Sequence, residues 1–364
     1  MQAGILVRAT PDEILHVSTR ERQQNSTARA RALAPAFLIN DMKLGKAFLH
    51  FLLIAGAASV LAQSQPLELK AQVSLPFRFV AYGDTRFTDP KNTDASNPVV
   101  RQTLVQAIAD AKPAFISIGG DIVYKGDDGN DWKIWDKETA VWREDKIPVY
   151  PALGNHDLYG DPKGALANYF QRFPDLQSNR YYSVRAANTV LFMLDSSLDE
   201  TSGPQGEWLA HELDNVPADV DFVCLVLHHP PYTDSSDQLF GGGHSARPSE
   251  QALARMLQER QAHTRARFVV IAGHVHNYER YEHGGVTYFV SGGGGAHPYL
   301  IPRKAGDPLF GKAVNYHYLL IEVDHGKMKI TMERLEMVDG KAAWTTPDSI
   351  EIAAPTAMPA KAGK

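Results

Sequence analysis

Cysteine is almost absent from this sequence of 364 residues, which contains a single one, Cys224. A lone cysteine cannot close a disulfide within the chain, and it cannot build the thiolate cage of a structural zinc site. Cys224 lies inside the apolar run 222–227, so we expect it to pack in the core and not to act as a nucleophile. Without disulfides, packing alone must stabilise the fold.

The sequence also has no block of lysine and arginine residues. Its 37 basic residues are outnumbered by 42 acidic ones, and the formal net charge is −5. A chain without a basic stripe lacks the electrostatic footprint of a nucleic-acid-binding protein, so we expect no nucleic-acid partner. The composition is otherwise that of a globular protein, with 44% hydrophobic and 22% charged residues, and no internal repeat is evident.

An apolar run of the roughly 20 residues that span a membrane is missing as well. The run 47–60 is too short and contains His50, but two lysines precede it and the small residue Ala62 follows it. This order is typical of a secretory signal peptide. We therefore predict that residues 42–62 are cleaved near Ala62 and that the protein is secreted or periplasmic, with no stable membrane anchor. A buried helix or an uncleaved anchor is the alternative.

Signal peptides act at the start of a chain, yet residues 1–41 precede this one. That stretch is polar, rich in arginine and without clear periodicity. We therefore predict that translation of the native protein starts at Met42, or that residues 1–41 are disordered.

Short apolar runs rich in β-branched residues recur along the remaining chain, and several are continuous rather than alternating. That pattern predicts strands that are buried on both faces of a sheet. The predicted strands are 77–82, 114–118, 149–153, 189–194, 222–227, 268–272 and 286–290. Helical patterns lie between them, beginning at Asn97, around Trp132, Trp135 and Trp142, at Trp208 and at Ser249. The tryptophans are expected to belong to the core.

The order of these elements predicts one α/β domain over residues 66–352, with two packed sheets and helices outside them. Near its end, 316–323 and 327–335 predict a hairpin. Residues 353–364 are rich in alanine, proline and lysine, and they predict a flexible tail.

Five short motifs follow the predicted strands. Carboxyl ends of strands in open α/β sheets gather ligands and catalytic groups. A single Gly-Asp pair there is only a turn, but five motifs that each add a carboxylate, an amide or an imidazole predict a metal site. The motifs are Gly83-Asp84-Thr85-Arg86, Gly120-Asp121-Ile122-Val123-Tyr124, Gly154-Asn155-His156-Asp157, Leu227-His228-His229-Pro230 and Gly273-His274-Val275-His276.

The residue types in these motifs favour particular metal ions. Oxygen ligands mixed with imidazoles suit Fe, Zn or Mn better than Ca or Mg alone. Two adjacent cations at ~3.5–4 Å need a carboxylate between them, since otherwise their repulsion would be uncompensated.

The order of the motifs resembles that of the calcineurin-like metallophosphoesterase superfamily over about residues 77–295, and the stretch 273–280 is similar to purple acid phosphatases. The resemblance implies a four-layer α/β/β/α sandwich of two mixed sheets flanked by helices. It also implies hydrolysis of a small phosphoester by a hydroxide bound to two metal ions. One ion would be held by Asp84, Asp121, Tyr124 and His276, and the other by Asp121, Asn155, His228 and His274, with Asp121 as the bridge.

The sequence departs from the family pattern at Arg86. Most members of the superfamily carry Asp-x-His in the first motif, so one imidazole ligand is missing here. Tyr124 is placed to substitute for it, as in the purple acid phosphatases, or it is a core aromatic. A phenolate, with a pKa of about 10, favours Fe(III) at its position and leaves Zn, Mn or Fe for the other. Arg86 itself either contacts the substrate phosphate bidentately or is solvated.

The resemblance also implies roles for residues that do not bind metal. His156, held in place by Asp157, would face the substrate and give a proton or hydrogen bond to the leaving oxygen. His244 would contact the phosphate from a loop. His229 either supports the ligands or only fills space beside Pro230. The function expected is that of an acid phosphatase acting on monoesters; a phosphodiesterase or nucleotidase on the same site, or a metal-binding module without activity, are the alternatives.

Overall fold

A computed structural model describes residues 66–236, 244–312 and 315–355. The predictions for residues 1–41 and 42–62 lie outside the described residues, as does most of the predicted tail. The described strands are β1 (Leu67–Lys70), β2 (Phe77–Tyr82), β3 (Ile116–Ile118), β4 (Val149–Pro151), β5 (Tyr182–Ala186), β6 (Thr189–Met193), β7 (Phe222–Leu227), β8 (Arg267–Ala272), β9 (Tyr278–His283), β10 (Val286–Ser291), β11 (Tyr316–Val323), β12 (Lys327–Val338), β13 (Lys341–Thr345) and β14 (Ser349–Ala353).

The described helices are α1 (Pro98–Asp110), α2 (Gly129–Glu138), α3 (Ala140–Glu144), α4 (Pro162–Arg172), α5 (Gly203–Asp214) and α6 (Pro248–Gln261), with a 3₁₀ turn at Pro174–Leu176. The start of α1 follows from its sequence, because the Asn97 side chain accepts hydrogen bonds from the backbone N–H groups of Val99 and Val100. Pro98, in the first turn, has no N–H that would need an acceptor there. Within the described part of the chain, no helix is both long and apolar enough to cross a membrane.

The strands form two mixed sheets. The first has the order β1-β5-β6-β7-β8-β10-β9, and the second has the order β13-β12-β11-β2-β3-β4 with β14 paired to β12. Parallel pairs dominate the middle of the first sheet, from β6 to β7, β8 and β10, and they also join β2 to β3 and β4 in the second. The predicted fold of two mixed sheets flanked by helices is therefore confirmed.

The strand β7 shows why its apolar run is continuous. Successive side chains of a strand point to opposite faces of the sheet. Phe222, Cys224 and Val226 join the core shared with the second sheet, which contains Phe79 and Ile321. The intervening Val223, Leu225 and Leu227 join a second core against α5 and α6, which contains Leu209 and Leu257. Cys224 is fully buried, as predicted, and burial raises the pKa of its thiol to about 12.

The seven predicted strands and the hairpin all occur, with bounds that shift by at most three residues. The tryptophan pattern, expected to mark one helix, covers two helices, α2 and α3, and its three indole rings are buried as predicted. Three of the motif-bearing loops leave the carboxyl ends of β2, β3 and β4, and the other two leave β7 and β8. The two sheets thus bring all five motifs to one edge of the sandwich.

Candidate metal centre

The loops that carry the motifs have unusual backbone geometry. Asp84, Arg86, Asp121 and His274 have positive φ angles of 59°, 46°, 54° and 70°. Non-glycine residues seldom adopt this left-handed conformation, and such strain concentrates at functional sites. The loops are joined to each other, since the backbone N–H of Asp84 donates to the Gly120 carbonyl at 3.0 Å and that of Arg86 to the Asp121 carbonyl at 3.0 Å.

Glycines let these loops approach each other. A Cβ at Gly154 would lie 2.3 Å from Asp121 Oδ1, and one at Gly273 would lie 2.5 Å from Asp84 Oδ2. Neither position can carry a side chain without displacing a carboxylate. The glycines in the motifs are therefore needed for the close approach of the acidic groups.

One group of side chains surrounds the Nε2 atom of His228. The His228 Nδ1 atom lies 2.9 Å from the Gly119 carbonyl oxygen, so Nδ1 carries the hydrogen and Nε2 keeps its lone pair. The Nε2 atom lies 3.3 Å from Asp121 Oδ1, 2.9 Å from Asn155 Oδ1 and 3.2 Å from His274 Nδ1. Asn155 is the exposed member of the group, so solvent reaches it from that side. Four acceptor atoms that converge in this way fit a cation.

A second group centres on Asp84 and His276. The Asp84 Oδ2 atom accepts the backbone N–H of His274 at 2.8 Å, and the His276 Nδ1 atom donates to the His297 carbonyl oxygen at 2.6 Å. Their remaining acceptors, Asp84 Oδ1 and His276 Nε2, lie 3.5 Å apart, and both are buried without a hydrogen-bond partner among the described residues. Buried polar atoms almost always have a partner, so this pair fits a second cation.

Arg86 contacts the predicted bridging ligand. Its Nε and Nη2 atoms lie 3.3 Å and 3.2 Å from Asp121 Oδ2, and its side chain is only 12% exposed. The alternative of a solvated Arg86 is therefore wrong, while contact with a substrate phosphate stays a prediction. Burial opposes the charge of Arg86, but Asp121 nevertheless raises its pKa.

The charges of the two acidic ligands are strongly influenced by burial. Burial and then the charge of Asp121 raise the pKa of Asp84 well above its usual value. Burial also opposes ionisation of Asp121, but the charge of Arg86 and the backbone N–H of His156 help to hold its pKa below the usual value. Burial lowers the pKa of His228 and His276, which keeps both imidazoles in the neutral form that binds metal. A cation between these groups would stabilise both carboxylates in their charged forms.

Tyr124 lies at the edge of the centre. It is half-buried, and its ring centroid is 5.3 Å from that of His156. Its backbone carbonyl accepts a hydrogen bond from His156 Nδ1 at 2.6 Å. Coordination of a metal ion by the Tyr124 phenol stays a prediction.

His156 and Asp157 have different partners from those expected. We predicted that Asp157 holds the His156 ring, but the Tyr124 carbonyl does so instead. Asp157 is buried and accepts the backbone N–H groups of Ile122, Val123 and Gly154 at 2.9, 3.3 and 2.9 Å. Asp157 therefore fixes the loop after β3 to the loop after β4. Burial lowers the pKa of His156, which is half-buried.

His244 and His229 both lie beside the predicted ligand His274. The His244 ring stacks 5.1 Å from that of His274. The His229 ring lies 4.3 Å from that of His274, and its Nδ1 atom lies 2.8 Å from Ser196 Oγ, which also accepts the backbone N–H of His229. His229 thus supports a predicted ligand and does more than fill space beside a proline.

Sequence reasoning missed two tyrosines that border the centre. The Tyr299 ring stacks 4.1 Å from that of His276, and the Tyr159 ring lies 5.9 Å from that of His156. Neither residue belongs to a motif. The nearest signals were the glycine run 292–295 before Tyr299 and the short spacing of Tyr159 from His156.

Comparison with known proteins shows that the chain is similar to phosphoesterases. The model of the calcineurin-like phosphoesterase family matches residues 77–278. The chain is 28% identical over 157 residues to purple acid phosphatase 23 of Arabidopsis thaliana, a match that covers 41% of this chain and 32% of that protein. It is also 28% identical over 196 residues to the phosphoenolpyruvate phosphatase of Allium cepa, which covers 50% of this chain and 38% of that protein. The matched segments span only about a third of these plant proteins.

Solved structures share the fold. A purple acid phosphatase from yellow lupin (Lupinus luteus) seeds superimposes with a TM-score of 0.58 at 18% identity, over 79% of this chain and 55% of that one. GAP50, the anchor in the inner membrane complex of Plasmodium, superimposes with a TM-score of 0.55 at 16% identity, over 78% of this chain and 89% of that one. At these identities the likeness shows the fold alone.

Proposed function

Since a family model covers more than half of its residues, the chain belongs to the calcineurin-like phosphoesterase family, and we propose that it hydrolyses phosphoric monoesters at a two-metal centre. The plant relatives named above are phosphatases, which favours monoesters over diesters. The substrate is a small phosphoester, in keeping with a centre that Asn155 leaves open to solvent.

One observation carries the proposal. Acceptor atoms face acceptor atoms at two neighbouring places, around His228 Nε2 and between Asp84 Oδ1 and His276 Nε2. Without cations these buried contacts would be repulsive or unsatisfied. Ligand atoms of Asp84, Asp121 and His228 lie within 4.8 Å of one another, which supports the proposal that Asp121 serves both groups.

The ligands divide into two sets. Asp84, Tyr124 and His276 would hold one ion, Asn155, His228 and His274 would hold the other, and Asp121 would be shared. Ions at these positions would supply Lewis-acid chemistry, since metal binding polarises phosphoryl oxygens and lowers the pKa of water from 15.7 to about 7. We propose Fe(III) at the Tyr124 position and Zn, Mn or Fe at the other, since a phenolate favours a strongly acidic ion.

The chain's own side chains act on the ester. His156, when its ring is doubly protonated, gives a proton to the leaving oxygen from its Nε2 atom, because its Nδ1–H is already donated to the Tyr124 carbonyl. His244, stacked on His274, contacts a phosphoryl oxygen. Arg86 holds the second oxygen of Asp121 and presents a positive charge beside the phosphate. The protein acts outside the cytoplasm after cleavage near Ala62.

The test measures the metal content of the purified protein and its activity on a panel of phosphoesters. The purified protein should contain two metal ions per chain and should hydrolyse phosphomonoesters faster than bis-esters such as bis(4-nitrophenyl) phosphate. Faster hydrolysis of the diester would replace the monoesterase proposal by a phosphodiesterase on the same site. Two bound metal ions without turnover of either ester class would reject an enzymatic function.

A further inference from the structure

An exposed tyrosine stands beside the proposed proton donor. Tyr159 is 53% exposed, although its ring centroid is only 5.9 Å from that of His156. Because His156 faces the leaving oxygen, the alcohol part of the substrate leaves the phosphorus on the side where Tyr159 lies.

The backbone around Tyr159 is firmly held. Its N–H donates to the His156 carbonyl at 3.1 Å, and its carbonyl accepts the N–H of Asp127 at 3.3 Å. The next residue, Gly160, has a φ of +98°, and a Cβ there would lie 2.2 Å from the Asp127 carboxylate. The loop of Tyr159 and the loop of Asp127 are thus joined at fixed distance. A ring on such a support loses little conformational entropy when a ligand stacks on it.

A positive charge accompanies the ring. The Lys125 Nζ atom lies 5.8 Å from the Tyr159 ring centroid and 3.3 Å from Asp127 Oδ1. This cation–π contact occupies part of the ring surface. The exposed remainder of the ring stays available to a flat partner, since aromatic rings prefer offset-stacked or edge-to-face neighbours.

We propose that Tyr159 is a stacking platform for the leaving group, so that the preferred substrates are phosphomonoesters whose alcohol part carries a flat aromatic ring. This inference rests on the proposed phosphatase function. The ring is either attached directly to the ester oxygen, as in an aryl phosphate, or one sugar away, as in a nucleoside 5′-monophosphate. In both cases Tyr159 binds the part of the substrate that departs, and not the phosphate.

The experiment compares substrates with and without a flat ring, and the ratio of variant to wild-type rates cancels the differences in leaving-group reactivity within each pair. Adenosine 5′-monophosphate is paired with ribose 5-phosphate, and phenyl phosphate is paired with cyclohexyl phosphate. Stacking of one base on an aromatic side chain contributes enough to change binding by about 5- to 150-fold. Tyr159→Ala should therefore lower kcat/KM for at least one aromatic substrate by about that factor more than for its non-aromatic partner. Adenosine or phenol should also inhibit hydrolysis of ribose 5-phosphate less strongly in Tyr159→Ala than in the wild type.

Two variants complete the design. Tyr159→Phe keeps the ring and should retain the preference, which separates stacking from any contact of the hydroxyl group. Trp344→Ala removes another exposed aromatic side chain, on β13 at the edge of the second sheet, and should leave all four rates unchanged. A preference confined to one pair identifies the type of aromatic leaving group. If the wild type hydrolyses ribose 5-phosphate but Tyr159→Ala affects both members of each pair equally, the platform is refuted while the phosphatase stands. If the wild type hydrolyses none of the four, the proposed function fails first, and the platform fails with it.

Discussion

The Nη2 atom of Arg86 lies 3.2 Å from Oδ2 of Asp121, the carboxylate that both predicted metal sets share. A guanidinium at this distance does two things. It compensates the charge of a carboxylate that is fully buried, and it competes with any cation for the same oxygen. The oxygen opposite, Oδ1, is left to His228 and to the backbone N–H of His156. Arg86 therefore limits how Asp121 can bind metal.

Replacing Arg86 should strengthen metal binding. Two unit charges about 4 Å apart interact by about 4 kcal/mol at an effective dielectric constant of 20, so loss of the guanidinium removes a sizeable repulsion. Arg86→Gln should raise the affinity for Zn(II) at least about tenfold in a chelator competition titration, and Arg86→Lys should change it less. Arg180→Gln is the matched control, since Arg180 also pairs with a buried aspartate, Asp195. Unchanged or weaker affinity in Arg86→Gln would contradict this account.

The shared ligand should be needed for both ions. Asp121→Ala removes the carboxylate proposed to be shared by the two groups of acceptors, so two cations would lose their common anion at once. We expect less than one metal ion per chain by elemental analysis and no detectable turnover. Asp195→Ala, which removes another fully buried carboxylate, should keep both ions. Circular dichroism and thermal unfolding establish that both variants are folded; two ions in folded Asp121→Ala would show that Asp121 is not the bridge.

The phenol of Tyr124 can be tested by colour. If it ligates Fe(III), the protein absorbs visible light through charge transfer from phenolate to iron. Tyr124→Phe should abolish that band, whereas Tyr169→Phe, which changes a buried tyrosine bonded to the Pro151 carbonyl, should not. A colourless wild type that is fully active with zinc or manganese at both positions rules out the iron–phenolate centre and leaves the phosphoesterase proposal intact.

The fold was largely predictable because its central strands are buried on both faces. Runs such as 222–227 are continuous and end in motifs, so sequence alone placed them. Strands without such a run were missed, among them β14, which alternates between exposed and half-buried residues, and β1, which has only four residues. The helix α4 was also missed, since only two of its side chains are buried.

The candidate site was predictable in its residue types but not in all of its contacts. The seven proposed ligands follow from motifs, and the structure brings six of them into two groups of facing acceptor atoms. The bonds of Asp157 could not be predicted, because they go to backbone N–H groups of Ile122, Val123 and Gly154, which any residue offers. The stacking of Tyr299 on His276 could not be predicted either, because 23 positions and two intervening strands separate these residues in the sequence.

Away from the centre, a buried carboxylate should make stability depend on pH. Glu200 is fully buried, and neither of its carboxylate oxygens has a hydrogen-bond partner among the described residues. Burial, and then the charge of Glu250, raises its pKa from 4.5 to about 8, although Arg247 opposes the shift. The folded state therefore holds a proton that the unfolded state releases, so stability falls as the pH rises from about 4.5 towards 8.

Glu200→Gln should remove that dependence, because the amide stays neutral at every pH. The wild type should lose more than about 1 kcal/mol of unfolding free energy between pH 5 and 8 relative to the variant, measured by urea denaturation. Glu207→Gln, on the exposed face of α5, should follow the wild type. Parallel profiles for the wild type and Glu200→Gln would mean that Glu200 is charged in the folded protein.

Substitution of His156 can distinguish a catalytic residue from a metal ligand. His156 directly follows the proposed ligand Asn155, but its Nδ1 atom is already bonded to the Tyr124 carbonyl. His156→Ala should therefore keep both metal ions and a similar KM while kcat falls, since the ring acts only on charge that develops at the leaving oxygen. A general acid typically contributes about 10²–10⁴-fold. The loss should shrink for 4-nitrophenyl phosphate, whose leaving group departs without protonation, and remain large for alkyl phosphates. His211→Ala, which removes an exposed imidazole on α5, should change neither rate. Loss of a metal ion from His156→Ala, or equal slowing on good and poor leaving groups, would show that His156 is not the acid.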